Sequence, residues 1–235
     1  MYYSKRRLSK MMSANNGTLD ISKTNITRLP KELEVKGDFI LNCYIKKLPE
    51  KLIVEGNLDL RDTLVDLQNT SRLQVGGNLY TGPNTTGFKW LADIGGDLDL
   101  RASKDFKSID NGCLVVRGNL YLDGNNKCIT IRQTIGVDGN LMLKGSCVES
   151  FSCGRLIHAK NIDLSHSAIK ELPDEFVVYG DLNVSHTALD KYPEKMVVFG
   201  DLDIRGTKLP VTQKGLVVLR NIITDNGIID CKSQL

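Results

Sequence analysis

The chain has 235 residues, of which 41% are hydrophobic and 25% are charged, and this balance is typical of a globular protein rather than of a disordered one. Its formal net charge of +3 neither demands nor excludes a polyanionic partner. No run of about 18 apolar residues occurs, so the sequence predicts no membrane-spanning helix and no membrane partner.

The N-terminal segment, residues 1–16, contains Lys5, Arg6, Arg7 and Lys10 without an apolar stretch behind them. This is not the composition of a secretory signal. We expect the segment to be a polar arm or cap over the first repeat, because the ends of repeat arrays need a polar cover. A basic arm can contact phosphates, but this one has few aromatic residues among its cations, so a nucleic-acid contact through residues 1–10 is only the third of the alternative functions.

Six cysteines are spread along the chain without a CxxC pair. In a chain of this length, that spacing favours free thiols in a reducing compartment. We therefore expect a cytoplasmic protein, either of a bacterium or of a host cell.

From residue 17 onward, the sequence repeats a short phrase at intervals of 19 to 22 residues: Gly, then Asp or Asn, then Leu or Phe. Eight copies match well, and two degenerate copies at 160–162 and 220–222 fill the remaining gaps. One period over this length predicts a single-domain, mainly β, right-handed solenoid of about eleven coils across residues 17–224. Residues 225–235 are expected to form a C-terminal tail or cap.

Within a coil, apolar residues alternate with their neighbours on both sides of the glycine, which is the period of a β-strand. The clearest example is Phe176, Val178, Leu182 and Val184, with Gly180 between the two pairs. We expect two short strands per coil that meet at a corner where Gly180 adopts a positive φ. A loop that often contains Leu-Pro completes the coil, because proline cannot donate a hydrogen bond to a sheet.

Two polar columns accompany the repeat. The residue after the corner glycine is Asn or Asp in ten coils, from Asp38 to Asn221. The second column consists of small polar residues near the end of the second strand: Thr24, Thr63, Asn84, Ser103, Asn125, Ser146, Ser167, Thr187 and Thr207. We expect both columns to form hydrogen bonds from coil to coil and to build the solenoid rather than a binding site.

The phrase LPxxLxVxGxLxLxxTxL resembles a short bacterial leucine-rich repeat with Thr or Ser in place of the usual Asn. It is similar to the repeat arrays of secreted bacterial effectors and to GDLDLSGT-type repeats of bacteria and their phages. The resemblance covers residues 17–224 and implies a protein-binding solenoid, and by analogy a phage or bacterial factor that inhibits or sequesters a host protein. Because LxVxGxLxL adds a second strand to each coil, a right-handed parallel β-helix is an alternative architecture.

The outward residues are the candidates for recognition, since the inward residues of a solenoid form its core. In the last three coils, the first strand is apolar on both faces, in the runs FVVY, MVVF and LVVL. Its outward side chains are predicted to form a partner-binding surface: Val177, Tyr179, Val197, Phe199, Val217 and Leu219. The sequence leaves three possibilities for what covers this surface. It could be the chain's own C-terminal segment or N-terminal arm, a second copy in a homodimer, or a foreign protein.

The second strand carries outward Asp–Arg pairs, interrupted by Tyr80 and Tyr121, which are further candidates for partner binding. The same surface supports an alternative function, that of a carbohydrate-binding or carbohydrate-cleaving β-helical module. The segment 81–93 is predicted to be the most irregular loop and contains the single tryptophan, Trp90, which we also assign to the partner-binding residues.

No catalytic constellation emerges from the sequence. His166 and His186 occupy equivalent positions in neighbouring coils, about 5 Å apart, but the spacing supplies no third metal ligand. The glycines do not form a nucleotide-binding loop. We therefore expect no enzyme activity, no cofactor and no metal site, and we infer that the chain acts by binding another protein.

Overall fold

The chain forms a parallel β-solenoid whose stacked coils are about 20 residues long, as the computed structural model shows. The structure describes residues 3–41, 43–88, 91–109, 113–124, 128–131, 135–151 and 157–231. The mainly β solenoid and the coil length predicted from the sequence are therefore confirmed.

The longest sheet, sheet A, contains the second strand of each coil. Eleven of its described strands are parallel, and a twelfth is antiparallel. Its strands are Leu19–Asp20, Phe39–Ile40, Leu58–Asp59, Leu79–Tyr80, Leu98–Asp99, Leu120–Tyr121, Leu141–Met142, Ile162–Asp163, Leu182–Asn183, Leu202–Asp203, Asn221–Thr224 and Gly227–Asp230.

Sheet B contains the first strand of each coil and is described in two pieces. The N-terminal piece comprises Glu32–Val35, Lys51–Val54, Arg72–Val75, Leu91–Ile94, Leu114–Val116, Ile135–Val137 and Ile157–His158. The C-terminal piece comprises Glu175–Val178, Lys195–Val198 and Leu216–Val218. The two strands per coil that the spacing predicts are present.

A third sheet, sheet C, occurs only in the central coils. It is formed by Gly87–Phe88, Ser108–Ile109, Cys128–Ile131 and Cys147–Phe151, and a 3-10 helix lies at Leu67–Asn69. The expectation of an irregular loop over 81–93 is therefore wrong, because this segment contributes strands to sheets C and B. Three sheets around the central coils agree with the parallel β-helix alternative.

The core consists of aliphatic columns that run along the solenoid. Leu58, Leu79 and Leu98 lie in register on sheet A and are each 0% exposed. On sheet B, Phe176 and Val178 are buried, whereas Val177 between them is half-buried. Each buried side chain stabilises the fold by about 1.5–3 kcal/mol. The alternating sequence pattern therefore separates an inner wall from an outer face.

Close packing, rather than positive φ, requires glycine at the corners. Gly180 does not have a positive φ, so the expectation that it turns the chain in that way is wrong. A Cβ atom at Gly180 would instead overlap Oδ1 of Asn161 from the preceding coil. In the same way, a Cβ atom at Gly200 would overlap Oδ1 of Asp181.

The Asn/Asp column explains this close approach, because it forms a ladder of hydrogen bonds along the corner. Oδ1 of Asp38 accepts from the backbone N–H of Asn57 at 2.7 Å, and Oδ1 of Asn57 accepts from that of Asn78 at 2.8 Å. The same contact recurs as far as Asp201 and Asn221, at 3.1 Å. The predicted coil-to-coil role of this column is confirmed, and each contact satisfies a backbone donor at the corner.

The hydroxyl column acts mainly inside each coil. Thr63 donates to the carbonyl oxygen of Leu60 at 2.8 Å, and Thr187 donates to that of Val184 at 2.7 Å. For these residues the coil-to-coil expectation is wrong, because the hydroxyl closes its own turn. Two members of the column do bond to the preceding coil, as predicted: Ser103 donates to the carbonyl oxygen of Gly82 at 2.8 Å, and the side-chain amide of Asn84 donates to that of Leu64 at 3.1 Å.

The two ends of the described solenoid are closed by different elements, a helix at the N-terminal end and an antiparallel strand at the C-terminal end. At the N-terminal end, helix α1 (Lys5–Ser13) begins after the N-cap Ser4 and packs on the strand Leu19–Asp20, with its Leu8 fully buried. At the C-terminal end, the strand Gly227–Asp230 turns back antiparallel to Asn221–Thr224 and ends sheet A. No helix among the described residues has the length and apolar character needed to cross a bilayer.

Candidate functional site

The candidate site is the outer side of the C-terminal piece of sheet B. The strands Glu175–Val178 and Lys195–Val198 are paired so that Val177 lies beside Val197, and Val197 in turn lies beside Val217. We call the six outward residues predicted from the sequence the C-terminal apolar face: Val177, Tyr179, Val197, Phe199, Val217 and Leu219. The parallel register therefore turns a sequence repeat into one continuous surface.

Two aromatic rings form the most exposed part of this face. Tyr179 and Phe199 stack with ring centroids 5.7 Å apart and an interplanar angle of 8°. Tyr179 is 50% exposed, Phe199 44% and Val217 39%, whereas Val177, Val197 and Leu219 are half-buried. All six side chains thus have solvent access, whereas the alternate positions of the same strands are largely buried.

The charges beside the C-terminal apolar face compensate each other. Nζ of Lys195 lies 2.9 Å from Oε1 of Glu175, and Nζ of Lys191 lies 4.0 Å from Oε1 of Glu171. The hydrogen bond that Lys195 donates to Glu175 raises the pKa of Lys195, so the ammonium group stays charged and paired. This rim therefore does not select a partner by net charge.

The intrachain covers considered from the sequence do not lie over this face in the described part of the chain. The strand Gly227–Asp230 pairs with sheet A, and its Ile228 is 70% exposed. Helix α1 packs on the first coil, at the opposite end of the solenoid. Residues 232–235 lie outside the described residues.

Two further predicted site residues, Tyr80 and Tyr121, lie on sheet A, where Arg61 links two neighbouring coils. Its Nη2 is 2.6 Å from Oδ2 of Asp59 in the same coil. Its guanidinium carbon lies 4.8 Å from the ring centroid of Tyr80 in the next coil. Side-chain hydrogen bonds from Arg61 hold the pKa of Asp59 below its ordinary value, so this carboxylate stays ionised and paired.

The arrangement repeats two coils later. Nη2 of Arg101 is 2.7 Å from Oδ2 of Asp99, and its guanidinium carbon lies 4.8 Å from the ring centroid of Tyr121. Burial raises the pKa of Asp99, but the hydrogen bonds from Arg101 outweigh that effect and lower it. An aromatic platform for a sugar needs an open ring face, and here a guanidinium group covers one face of each tyrosine.

The predicted partner-binding residues therefore form two separate surfaces. Tyr80 and Tyr121 are half-buried on sheet A, in coils that precede those of the C-terminal apolar face on sheet B. Trp90, the remaining predicted residue, lies outside the described residues. We consider the C-terminal apolar face the stronger candidate, because the tyrosines of sheet A are already engaged by arginines of their own chain.

The two histidines stack as the repeat predicts. The ring centroids of His166 and His186 are 4.6 Å apart, with an interplanar angle of 14°. Both residues have a positive φ, of 57° and 56°, which Gly145 and Gly206 also adopt in neighbouring coils. In the described ranges, no group of three or more His, Cys, Asp or Glu side chains is placed to hold a metal ion.

Sequence reasoning missed a basic groove on the loops of the first coils. Arg28 and Lys47 both stand directly before a Leu-Pro pair, at 29–30 and 48–49. Alignment of those pairs would have shown that the two cations occupy equivalent positions in neighbouring coils. Tyr44 lines the same groove.

No family model, no curated protein and no solved structure matches the chain. The class of protein is thus defined by the fold alone, as a parallel β-solenoid with an exposed apolar face.

Proposed function

We propose that the chain is a non-catalytic protein-binding module that engages another protein through the C-terminal apolar face. The observation that carries this proposal is the stacked pair Tyr179 and Phe199, about half-exposed directly after the paired strands Glu175–Val178 and Lys195–Val198. Contiguous exposed apolar surface marks interaction sites, and aromatic side chains contribute much of the binding energy at such sites.

The chemistry of the face indicates the kind of partner. The outer side chains of its strands are aliphatic or aromatic, and the nearby Lys195–Glu175 pair compensates its own charge. A matching partner presents an uncharged apolar surface, since desolvating an unpaired charge against this face would cost more than the contact returns. Homodimerisation through the same face is the competing reading.

The non-catalytic part of the proposal is supported by the state of the charged side chains on sheet A. The exposed arginines Arg61 and Arg101 are each paired with an aspartate and stacked on a tyrosine. Such a network is already satisfied by its own members and leaves no activated nucleophile or base. The alternative function, that of a carbohydrate-binding or carbohydrate-cleaving module, would need these same side chains to contact a sugar.

The proposal includes a biological role for the binding module, as a phage or bacterial factor. The resemblance of the repeat to those of bacterial effectors and phages supports a factor that inhibits or sequesters a host protein. The free thiols of Cys43, Cys113 and Cys231 support a reducing, cytoplasmic setting.

The test is a pair of double variants of the full chain. Tyr179→Asp with Phe199→Asp places charge on the C-terminal apolar face, whereas Ile40→Asp with Leu64→Asp places the same charge on exposed apolar residues elsewhere. Proteins captured by the unmodified chain are identified by mass spectrometry, purified and re-tested for direct binding by calorimetry. Sedimentation of the chain alone reports self-association, and thermal melting checks that both variants fold.

The proposal requires a purified protein that binds the unmodified chain and the Ile40/Leu64 variant alike but loses affinity at least about tenfold for the Tyr179/Phe199 variant. Binding that is unaffected by the Tyr179/Phe199 variant would place the interface elsewhere. A dimer that the same variant dissociates, without any foreign partner, would favour homodimerisation instead.

A further inference from the structure

A groove on the loops of the first coils has the chemistry of a second binding surface. It has a volume of about 810 Å³, and Arg28, Lys31, Lys46, Lys47 and Tyr44 are among its lining residues. This end of the chain is strongly basic, because the first 51 residues contain 11 of the 31 Lys and Arg residues but only 5 of the 28 Asp and Glu residues. That segment has a net charge of +6, and the rest of the chain has −3.

The cations of this groove differ in whether they are paired with an acid. Some lysines of the solenoid form an ion pair with an acid of the neighbouring coil, as Lys195 does with Glu175. Within the groove, Lys31 is paired in this way, with its Nζ 3.4 Å from Oε1 of Glu50. Arg28, Lys46 and Lys47 form no ion pair with any other described residue.

The unpaired cations recur from coil to coil. Arg28 and Lys47 stand at equivalent positions of neighbouring coils, each directly before a Leu-Pro pair, and both side chains are exposed. Like charges at neighbouring positions repel each other, and an anionic ligand would relieve that repulsion.

Uncharged residues also line the groove. Pro30, Leu48 and Pro49 are buried beneath it, and Leu29 is half-buried. Tyr44 is 56% exposed, next to Lys46 and Lys47 in the chain. The groove therefore combines several cations with an accessible aromatic ring along one shallow channel.

The basic surface continues beyond Tyr44. A second depression is lined by Tyr44, Lys23 and Tyr3, and the guanidinium carbon of Arg7 lies 3.6 Å from the ring centroid of Tyr3. Cations from helix α1 and from the first coil thus adjoin those of the groove. Residues that are distant in the sequence converge on one side of the N-terminal coils.

From this arrangement we infer that the groove binds single-stranded nucleic acid. Arg28, Lys46 and Lys47 contact the phosphates, and Tyr44 stacks on a base. Single strands are bound in this way, by a positively charged channel that follows the backbone together with aromatic rings on which bases stack. An acidic peptide would also satisfy the cations, but it would have no use for the aromatic ring.

In the sequence, only the N-terminal arm offers a contact to nucleic acid, and it ranks behind the other predicted functions because it lacks interleaved aromatic residues. The fold supplies what the arm lacks, because it brings Tyr44 and the cations of two further loops to the same side. This surface is distinct from the C-terminal apolar face, so either function can fail without the other.

The experiment measures binding of the full chain to fluorescently labelled 12-nucleotide oligo-dT and oligo-U by fluorescence anisotropy, at low and moderate salt. The test variant, Arg28→Glu with Lys47→Glu, reverses two groove charges. The matched control, Lys208→Glu with Lys214→Glu, makes the same change in net charge on exposed residues near the other end. Tyr44→Ala removes the ring, and Tyr44→Phe keeps it.

We expect binding that weakens as salt rises, and a loss of at least about tenfold in the Arg28/Lys47 variant but not in the Lys208/Lys214 variant. Tyr44→Ala should weaken binding at least about fivefold, and Tyr44→Phe should preserve it. Absence of binding at low salt, or equal losses in both charge-reversal variants, would overturn the inference. Labelled poly-glutamate that binds as tightly, with no effect of Tyr44→Ala, would assign the groove to an acidic protein.

Discussion

Oδ1 of Asn57 accepts a hydrogen bond of 2.8 Å from the backbone N–H of Asn78, which follows it by 21 residues and lies one coil further along the solenoid. The amide of Asn57 also donates to Oδ1 of Asp38 in the preceding coil, at 3.1 Å. One side chain thus joins three successive coils at their corners. Loss of any member of this ladder should therefore be felt by its neighbours on both sides.

We expect Asn57→Ala to reduce the free energy of unfolding by about 1–3 kcal/mol, because the backbone N–H of Asn78 loses its acceptor in a partly buried corner. Chemical denaturation measures this change. Asn25→Ala is the control, since Asn25 is exposed and lies outside the ladder. Equal effects of the two substitutions would contradict the structural role of the column.

The corner glycines give a second prediction. Gly180→Ala should destabilise the fold by about 1–3 kcal/mol, because the added Cβ overlaps the side chain of Asn161 and forces the corner to shift. Gly136→Ala should be neutral or stabilise by up to about 1 kcal/mol, since no atom lies within 4 Å of its added Cβ. Differential scanning calorimetry of the two variants should give melting temperatures shifted in opposite directions, or only that of Gly180→Ala lowered.

Two phenylalanines, one within a strand of sheet B and one directly after the next strand, should respond very differently to truncation. Phe176 is 1% exposed and Phe199 is 44% exposed. Phe176→Ala should cost about 3–5 kcal/mol of stability, because it leaves a cavity in the inner wall. Phe199→Ala should cost less than about 1 kcal/mol, most of it from the lost stacking on Tyr179. A large loss of stability in Phe199→Ala would mean that the residue is a core residue rather than a binding residue.

The pair of Asp203 and Arg205 should make stability depend on pH in acid. Burial raises the pKa of Asp203, but the hydrogen bonds from Arg205 outweigh it and lower the pKa below 3.8. Because the folded-state value is the lower one, the pair stabilises the fold above about pH 4, and the benefit is lost as the pH falls through the folded-state pKa. Urea midpoints should therefore differ between the unmodified chain and Asp203→Asn at neutral pH and converge in strong acid.

The left-handed backbone at His186 gives a prediction that compares two substitutions. His186 has a φ of 56°, a region that glycine enters without the steric cost that a Cβ imposes. Both His186→Gly and His186→Ala remove the ring stacked on His166, so only the backbone preference distinguishes them. The glycine variant should be more stable than the alanine variant by about 1–2 kcal/mol in urea denaturation.

The repeat period and the strand alternation were predictable because they are written directly in the sequence. Leu58, Leu79 and Leu98 each follow Gly and Asn or Asp, and stacking alone then places them in one buried column. The outward position of Tyr179 follows from the same alternation. Local patterns thus predict which side of a coil a residue occupies.

Contacts between coils were harder to predict. The corner glycines have the spacing expected of turns, but the reason for them is an Asn or Asp about 20 residues earlier, as for Gly180 and Asn161. Sheet C was missed because Gly87–Phe88 and Ser108–Ile109 are too short to show a strand period. The basic groove was missed because its cations come from separate loops and become neighbours only when the coils stack.

The reversed strand Gly227–Asp230 determines how the solenoid ends. Every earlier strand of sheet A runs in one direction and could in principle be extended by another strand of the same direction. The hairpin occupies that place with a strand of opposite direction, and helix α1 covers the first coil at the other end. A second copy that prolonged sheet A in the same direction would meet a strand of opposite direction at one end and helix α1 at the other, so sheet A disfavours head-to-tail stacking of copies.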